Sequence, residues 1–276
     1  MTAPFTDLVS RDNPRIRLLA ALADDPRARR EHGQTVLDGV HLLECALAAQ
    51  IPVLEVCVSL SGCKREEIAA LLDRLPADLA LVRVPDAVFN RLSPVDTPTG
   101  ILARIALPAP VVAKAGEASI VVLDAIQDPG NLGAILRSAA AAGIGDVWLT
   151  LGCAQAWSPK VLRAGMGAHF HLRIAEQVDA LAALQGYEGK VVATGLGANA
   201  RTLFDADLRG ALVWLFGAEG QGLSPALFER ADEILTIPMA TGVESLNVGA
   251  AAAVCLFEQM RQRRAHGLLV GHSIDS

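Results

Sequence analysis

The stretch that decides the fold reads EILTIPMATGVESLNVGAAAAVCLFEQMRQ, residues 233–262. Residues 233–237 form a short apolar run typical of a buried strand, and residues 246–264 are rich in alanine, the strongest helix former. Between them lie a carboxylate, a hydroxyl and an amide, in Glu244, Ser245 and Asn247. Serine and asparagine are both favoured helix N-caps, but only one of them can occupy the cap position. Capping alone therefore does not account for all the polar side chains at this strand-to-helix turn.

The same alternation of strand and helix extends outward along the whole chain, on both sides of a Pro/Ala-rich stretch. Alternating strands and helices predict βαβ units and a parallel sheet. We expect a smaller α/β domain in residues 1–107, a linker at 108–117, a second α/β domain at 118–264 and a tail at 265–276. The predicted strands are residues 53–59, 79–84, 100–107, 119–125, 146–151, 190–194, 211–216 and 233–237. The predicted helices are residues 15–23, 40–50, 64–75, 132–142, 159–165, 178–184, 225–231 and 246–264.

Composition narrows the protein class. Of the 276 residues 52% are hydrophobic and 20% charged, which favours a large core over disorder. No apolar run reaches the ~18 residues that span a bilayer, and the N-terminus lacks an apolar signal core, so we expect a cytoplasmic protein without a membrane partner. The five cysteines form no CxxC pair, which predicts neither a disulfide framework nor a zinc site. His169 and His171 would share one face of a strand, in a structural or RNA-facing role.

Charge gives a weaker indication. The net charge is −6, so no global basic field points to nucleic acid. Residues 11–30, however, contain six arginines and three aspartates, which gives a local charge of +3. These arginines are Arg11, Arg15, Arg17, Arg27, Arg29 and Arg30. Charge alone slightly favours a solvated helix face over a phosphate-binding surface.

Three loops of the second domain follow apolar strands and mix glycine with polar side chains: residues 127–133, 217–224 and 239–247. Ligands of open α/β sheets bind beyond the carboxyl ends of the strands, so these loops predict a site. The glycines of GAEGQG do not match GxGxxG, and neither a Walker phosphate loop nor a GxSxG elbow is present. A nucleotide-dependent oxidoreductase is therefore disfavoured.

Together these loops resemble the motifs of the SpoU/TrmH family of RNA ribose 2′-O-methyltransferases, in the SPOUT superfamily. The first, LDAIQDPGNLGAILRSA at 123–139, carries the family's NxGxxxR pattern at Asn131, Gly133 and Arg137. The second is LFGAEGQGLS at 215–224, and the third is IPMATGVESLNV at 237–248. Residues 13–17, 37–44 and 93–103 are similar to the substrate-binding domain of the ribosomal-RNA branch. Thr241 departs from the pattern, since many members have glycine there. It lies in the loop of residues 239–247, which the resemblance assigns to cofactor binding.

The resemblance implies a C-terminal parallel-sheet domain with a deep trefoil knot that binds S-adenosylmethionine, a smaller N-terminal RNA-binding α/β domain, a homodimer and no metal. Ile237, Met239 and Leu246 would enclose the adenine, while backbone groups near Leu215 and Gly217 would hydrogen-bond it. The implied cofactor-binding residues are Leu215, Gly217, Gly220, Ile237, Met239, Leu246 and Asn247.

The implied catalytic residues are Arg137, Asn131, Glu219, Ser245 and Asn247. A guanidinium keeps its proton in proteins and is an awkward general base, so Arg137 is expected to hold the target phosphate and hydroxyl and to stabilise the developing oxyanion. Asn131 would orient Arg137 or the ribose, with the N-cap of the following helix as its competing role. Glu219 would position these two side chains, while Ser245 and Asn247 would face the reacting centre.

The expected reaction is methylation of a ribose 2′-hydroxyl in structured RNA, with 23S ribosomal RNA as first choice. The alternatives are a transfer-RNA 2′-O-methyltransferase and a non-catalytic RNA-binding or ribosome-assembly factor. With an RNA substrate, the basic cluster becomes a candidate for phosphate contacts. The assigned RNA-binding residues are Arg11, Arg15, Arg27, Arg29 and Arg30.

Overall fold

The computed structural model describes residues 4–93, 97–109, 111, 118–195 and 200–268. It divides into two compact units, residues 1–109 with 155–170 and residues 110–154 with 171–276. Most of the predicted linker and tail, and part of the 93–103 motif, lie outside the described residues. The described helices include none that is long and apolar enough to cross a membrane.

The first unit is built on a five-stranded mixed sheet in the order β1-β4-β3-β5-β2. Its strands are β1 (Phe5–Asp7), β2 (Gln34–Asp38), β3 (Val53–Ser59), β4 (Leu81–Val84) and β5 (Ile101–Ala106). Its helices are α1 (Pro14–Asp24), α2 (Pro26–His32), α3 (Val40–Ala48), α4 (Glu66–Leu72), α5 (Asp86–Leu92) and, from later in the chain, α7 (Pro159–Gly165). β5 runs antiparallel to β2 and β3, while β4 is parallel to β1 and β3.

The second unit is built on a seven-stranded sheet in the order β10-β12-β9-β11-β6-β7-β8, and all its strand pairs are parallel. Its strands are β6 (Ile120–Asp124), β7 (Asp146–Thr150), β8 (Arg173–Val178), β9 (Lys190–Thr194), β10 (Arg201–Thr202), β11 (Leu212–Gly217) and β12 (Glu233–Thr236). Its helices are α6 (Pro129–Ala141), α8 (Ala180–Ala183), α9 (Pro225–Arg230) and α10 (Val248–Ala265). The predicted parallel sheet is confirmed here.

One buried amide anchors α10 to the sheet. The Gln259 side chain is 1% exposed, and its Oε1 accepts a hydrogen bond from Trp214 Nε1 of β11 at 2.8 Å. Its Nε2 donates to Ser119 Oγ at 3.0 Å and to the Gly210 carbonyl at 3.1 Å. Because a buried amide is costly unless its donors and acceptor are paired, these bonds fix where α10 crosses the sheet. That crossing sets the position of the loop that precedes α10.

Several elements differ from the sequence predictions. The prediction missed β1, α2, β2, α5, β8 and β10. Helix α6 begins at Pro129, three residues earlier than predicted, because Asp128 caps it. His169 and His171 lie in a 3₁₀ turn, Ala168–His171, so their predicted placement on a strand face is wrong.

His169 is a buried structural group. Its ring is 1% exposed, lies 5.4 Å from the Trp157 ring between centroids, and donates from Nε2 to the Ala156 carbonyl at 2.9 Å. Burial lowers the pKa of His169 to about 4, because the charged imidazolium would lose its hydration. The neutral ring is therefore the form that the fold selects.

This burial predicts a pH dependence of stability. Between about pH 6.5 and pH 4 the unfolded chain binds the His169 proton and the folded chain does not. The free energy of unfolding should therefore fall as the pH drops through this window, by at most about 1.4 kcal/mol per pH unit from this residue. Urea unfolding from pH 7.5 to 4.5 measures the slope for wild type, His169→Phe and the exposed-site control His171→Asn. A smaller slope is expected for His169→Phe alone, and equal slopes in all three proteins would contradict the assignment.

Candidate functional site

The three predicted loops meet at one edge of the seven-stranded sheet. The first follows β6, the second follows β11 and the third follows β12, and in the sheet order these strands lie close together. All run parallel, so their carboxyl ends and the loops that follow share the same edge. This is where ligands bind in open α/β sheets.

A three-residue network connects the loops. Asn131 Nδ2 donates to Glu219 Oε1 at 2.7 Å, and Asn247 Nδ2 donates to the same oxygen at 2.7 Å. Asn247 Nδ2 also donates to Asn131 Oδ1 at 2.9 Å. Bonds to a carboxylate are charge-assisted and stronger than neutral ones. The network thus brings one residue from each of the three sequence motifs into direct contact.

Asn247, the last of the three polar residues in the strand-to-helix turn, has two functions. Its Oδ1 accepts the backbone N–H groups of Gly249 and Ala250 at 2.9 and 3.2 Å, which caps α10. Its Nδ2 makes the two network bonds. The asparagine amide offers an oxygen acceptor for the cap and, on a separate atom, an N–H donor for the carboxylate.

Asn131 does not cap α6. The cap is Asp128, whose Oδ1 accepts the Asn131 backbone N–H at 2.8 Å. The prediction that Asn131 competes for the N-cap is therefore wrong. Because its backbone is held by Asp128, the Asn131 side chain is free to join the network.

The glycine-rich loop is closed tightly at its base. The Gly222 N–H donates to the Ala218 carbonyl at 2.8 Å, and these residues form a β-bridge. A Cβ on Gly217 would lie 2.1 Å from the Gly222 carbonyl carbon, so no other residue fits there without moving the backbone. Gly220 and Gly222 have positive φ angles of 81° and 70°. This geometry presents Glu219 at the tip of a rigid turn.

Asp124 is a site residue that the sequence interpretation missed. Its carboxylate is 8% exposed at the end of β6, where Oδ2 accepts the Ser224 N–H at 2.7 Å and Oδ1 accepts from Thr150 Oγ1 at 2.9 Å. Thr150 Oγ1 in turn accepts the Ala125 N–H at 3.1 Å. Asp124 therefore ties the far end of the glycine-rich loop to β6 and β7. An acidic residue ending a buried apolar strand was the sequence signal that could have found it.

A cavity of about 670 Å³ opens between the second and third loops. Residues from both loops line it, together with Thr194, Gly195 and the end of β12. The lining includes these predicted site residues: Gly217, Glu219, Gly220, Ile237, Met239, Ser245, Leu246 and Asn247. Leu215 is fully buried inside β11 and does not line this cavity. The wall begins at Gly217, two residues later, so the predicted contact between the Leu215 backbone and the adenine is not supported by the lining. We call this space the larger cavity.

A smaller cavity of about 440 Å³ opens between the first and second loops. Its lining runs from Ala125 to Pro129 and includes Asn131. Both cavities share the side chains or backbone of Ala218, Glu219, Gln221 and Val248, here called the shared wall. The carboxylate that holds the network thus stands between two adjoining spaces.

Arg137 lies on α6, six residues after Asn131, with its side chain exposed. Neither cavity lining includes it, and within the described part of the chain its guanidinium makes no hydrogen bond or ion pair. Arg137 is therefore close to Asn131 along the chain but does not take part in the network. Its assigned role in catalysis stays a prediction.

The basic cluster divides into internal and exposed arginines. Arg29 is 4% exposed and donates to the carbonyls of Leu22 and Ala23 at 2.8 and 3.1 Å. Arg15 Nε donates to the buried carboxylate of Glu55 at 2.7 Å. Assigning Arg29 to RNA is therefore wrong, because its guanidinium is buried in α1–α2 packing, and the charge of Arg15 is already paired.

Arg11, Arg27 and Arg30 are exposed. Arg27 pairs with Glu31 across one helical turn, with both side chains more than half exposed. Exposed pairs of this kind contribute little to stability and exchange readily. These three arginines therefore keep the predicted ability to contact phosphates.

The described residues include no group of three or more His, Cys, Asp or Glu side chains arranged to hold a metal ion. All five cysteines are free.

Comparison with known families gives two matches that divide the chain. A model described as the SpoU rRNA Methylase family matches residues 118–257. A model described as the MRM3-like substrate binding domain matches residues 13–103.

Individual relatives cover nearly the whole chain. The 23S rRNA (guanosine(2553)-2′-O)-methyltransferase RlmP of Bacillus subtilis is 32% identical, over 84% of this chain and 90% of its own length. The crystal structure of an RNA 2′-O ribose methyltransferase has a TM-score of 0.80 and 33% identity, covering 94% of this chain and 100% of that chain. The SpoU methyltransferase AviRb of Streptomyces viridochromogenes, in complex with the cofactor AdoMet, has a TM-score of 0.78 and 26% identity, covering 92% and 99%.

The tight base of the glycine-rich loop gives a first prediction. In Gly217→Ala the new Cβ would meet the Gly222 backbone and open the turn, whereas a Cβ on Gly145 meets no atom within 4 Å. Overpacking costs about 1–3 kcal/mol, and because the opened turn has to close again on the cofactor, S-adenosylhomocysteine should bind roughly 5- to 160-fold more weakly to Gly217→Ala. Titration calorimetry measures the affinity, with Gly145→Ala as control. Unchanged affinity in Gly217→Ala would contradict this role of the turn.

The double function of Asn247 gives a second prediction. Asn247→Ser keeps an oxygen for the cap, but its shorter hydroxyl side chain does not reach Glu219 as the amide does, so stability should change by less than about 1 kcal/mol. Methyl transfer to RNA should fall about 100-fold, the typical effect of removing one positioned active-site donor. Urea unfolding and a turnover assay measure the two effects. Loss of stability with full activity would mean that Asn247 is a cap alone.

Proposed function

We propose that this chain, which belongs to the SpoU rRNA methylase family, transfers a methyl group from S-adenosylmethionine to a ribose 2′-hydroxyl of ribosomal RNA. The observation that carries the proposal is the Asn131–Glu219–Asn247 network, which stands in the wall between two adjoining cavities. A reaction between a cofactor and a polymer needs two such spaces that meet at one polar point. Relatives named as RNA 2′-O-methyltransferases support the same reaction.

The larger cavity fits the cofactor. Ile237, Met239 and Leu246 give it apolar surface for an adenine ring, and the glycine-rich turn exposes backbone groups that can hydrogen-bond the ring edge. Gly217 and Gly220 belong to that turn. When bound there, S-adenosylmethionine supplies an electrophilic methyl group on a sulfonium sulfur.

The chain's own contribution is alignment and control of one proton. Glu219 Oε1 holds both amides of the network, while its Oε2 has no hydrogen-bond partner among the described residues. Oε2 is thus able to accept the hydrogen of the 2′-hydroxyl, which raises the nucleophilicity of that oxygen. Arg137, exposed and unpaired in the described part of the chain, would hold the target phosphate and stabilise charge on the oxygen.

The alternatives are a transfer-RNA substrate and a non-catalytic RNA-binding or ribosome-assembly factor. The N-terminal match to a substrate-binding domain and the 23S rRNA-specific relative favour ribosomal RNA. An intact network argues against loss of catalysis, because a protein that only bound RNA would not need a carboxylate shared by two amides. We place the enzyme in the cytoplasm, where its proposed substrate is assembled into ribosomes.

We also propose a homodimer and a knotted second unit, as the family resemblance implies. Val243, Leu246 and Phe257 expose 50%, 40% and 46% of their surface, on the third loop and on α10, and association would cover such apolar side chains. The chain places β12 beyond β9 in the sheet and then continues into α10, which packs on α6. That return of the chain toward its own first helix is compatible with a knot.

Methyl transfer tests the proposal directly. Wild type and Arg137→Ala are incubated with total bacterial RNA and methyl-labelled S-adenosylmethionine, followed by mapping of the modified ribose. Label in one ribosomal RNA is expected with wild type, and at least about 100-fold less with Arg137→Ala, whose exposed side chain makes its removal harmless to the fold. Near-normal activity of Arg137→Lys would refute a special role for the guanidinium. Absence of label from naked RNA and ribosomal precursors, despite cofactor binding, would contradict the reaction.

The exposed arginines give a separate prediction. Neutralising Arg11, Arg27 and Arg30 to glutamine should raise the KM for RNA and reduce the slope of log affinity against log salt by roughly two to three, about 0.7–0.9 per lost phosphate contact. Filter binding from 50 to 300 mM salt measures the slope. Arg29→Gln is the control, since it should lower stability without changing the slope. An unchanged slope in the triple variant would refute the phosphate contacts.

A further inference from the structure

The smaller cavity has a charge character that selects its occupant. Its lining contains two carboxylates, Asp128 and Glu219, and three side-chain amides, while none of the described residues that line it is Lys or Arg. A phosphate would be repelled there, because like charges disfavour each other in a partly enclosed space. An uncharged polar group fits, and at about 440 Å³ the cavity falls in the usual range for small-ligand sites of about 300–1,000 Å³.

The floor of this cavity is held in an uncommon backbone conformation. Ala125 has a φ of +54°, a region that residues other than glycine rarely adopt. Its N–H donates to Thr150 Oγ1, which in turn donates to Asp124. Such strain persists only where neighbouring bonds enforce it, and it concentrates at functional sites. Here it turns the chain so that Ala125–Pro129 forms a concave surface.

Two amides of the cavity have no structural use in the fold. The side chains of Gln127 and Gln221 are exposed, and neither makes a hydrogen bond within the described part of the chain. They come from different loops, and Gln221 also belongs to the shared wall. By contrast Asn131, the third amide, donates to Glu219 and accepts from Asn247. Each free amide offers one donor and one acceptor group, the complement of a nucleobase edge.

We propose that the smaller cavity receives the unstacked target nucleoside, with Gln127 and Gln221 hydrogen-bonding its base and the ribose at the shared wall. This inference rests on the proposed function, and it adds where the acceptor lies and which side chains read it. Base selection in single-stranded RNA commonly uses hydrogen bonds to edges of splayed-out bases. Placing the ribose at the shared wall brings its 2′-hydroxyl to Glu219, opposite the larger cavity.

The first test measures turnover on an in-vitro 23S ribosomal RNA transcript at saturating S-adenosylmethionine. The proteins are wild type, Gln127→Ala, Gln221→Ala and the control Gln185→Ala, whose exposed amide lies on neither cavity. Each site variant should lower kcat/KM roughly 10-fold, the effect of one lost hydrogen bond to a base. Transcripts with each of the other three bases at the mapped position should be discriminated less well by the variants than by wild type. Unchanged kcat/KM and unchanged base preference would overturn the proposal.

The second test does not depend on activity, so it separates this inference from the proposed function. Saturation-transfer NMR with protein saturated by S-adenosylhomocysteine uses adenosine, guanosine, cytidine and uridine as probes, and inorganic phosphate as competitor. At least one nucleoside should bind to wild type, resist competition by phosphate, and lose its signal in the Gln127→Ala/Gln221→Ala double variant. An equal signal in the double variant would overturn the proposal even if wild type transfers methyl groups.

The affinity for S-adenosylhomocysteine supplies the remaining control. It should stay within about twofold of wild type in Gln127→Ala, because Gln127 lines the smaller cavity alone, whereas Gln221 lines both cavities. A tenfold loss would mean that this cavity holds part of the cofactor, and that result would also overturn the proposal.

Discussion

The site depends on one carboxylate oxygen that accepts hydrogen bonds from two asparagine side chains. Asn131 and Asn247 are 116 residues apart, and Glu219 Oε1 holds both at 2.7 Å. Because Asn247 also caps α10, the network joins the start of one helix to the start of another through the tip of a glycine turn. Removing the carboxylate would leave two amides without their common acceptor and would free the glycine-rich loop from the other two, which the Asn247–Asn131 bond still joins.

The surrounding structure keeps that oxygen in place. Asp124 fixes the far end of the glycine-rich loop to the sheet, while the bond from the Gly222 N–H to the Ala218 carbonyl closes its base. The hydrogen bond between Gln259 and Trp214 anchors α10, the helix that follows the third loop, to β11. A site held from several rigid elements is more accurately positioned than a site on one loop. This rigidity suits methyl transfer, where alignment of the reacting atoms contributes much of the rate.

Sequence reasoning predicted the second unit well because its strands are buried on both faces and appear as apolar runs. β9 has the predicted bounds, and the parallel sheet follows from the alternation. β8 was missed, since it is an edge strand with exposed Arg173, Glu176 and Gln177, so it lacks such a run. α2 was missed because arginines dominate its sequence, and β2 was missed because its five residues hold only two aliphatic side chains, Val36 and Leu37.

The motifs identified the loops, but spacing could not predict the partners within them. The Asn131–Glu219–Asn247 contacts join residues that are far apart in the chain, and the Asp124–Ser224 hydrogen bond joins residues 100 positions apart. For the basic cluster, sequence reasoning assigned contacts to RNA that two of the arginines instead make within the fold. Counting charges could not show that Glu55 pairs with Arg15, or that carbonyls at the end of α1 bind Arg29.

A crystal structure of the protein with S-adenosylmethionine, at a resolution that defines the methyl group, tests the central claim most directly. The account predicts the adenine between Ile237, Met239 and Leu246, with the sulfonium methyl directed at the shared wall beside Glu219. It also predicts that the Asn131–Glu219–Asn247 bonds persist with the cofactor bound. A methyl group directed away from that wall, or a network broken by the cofactor, would contradict the account.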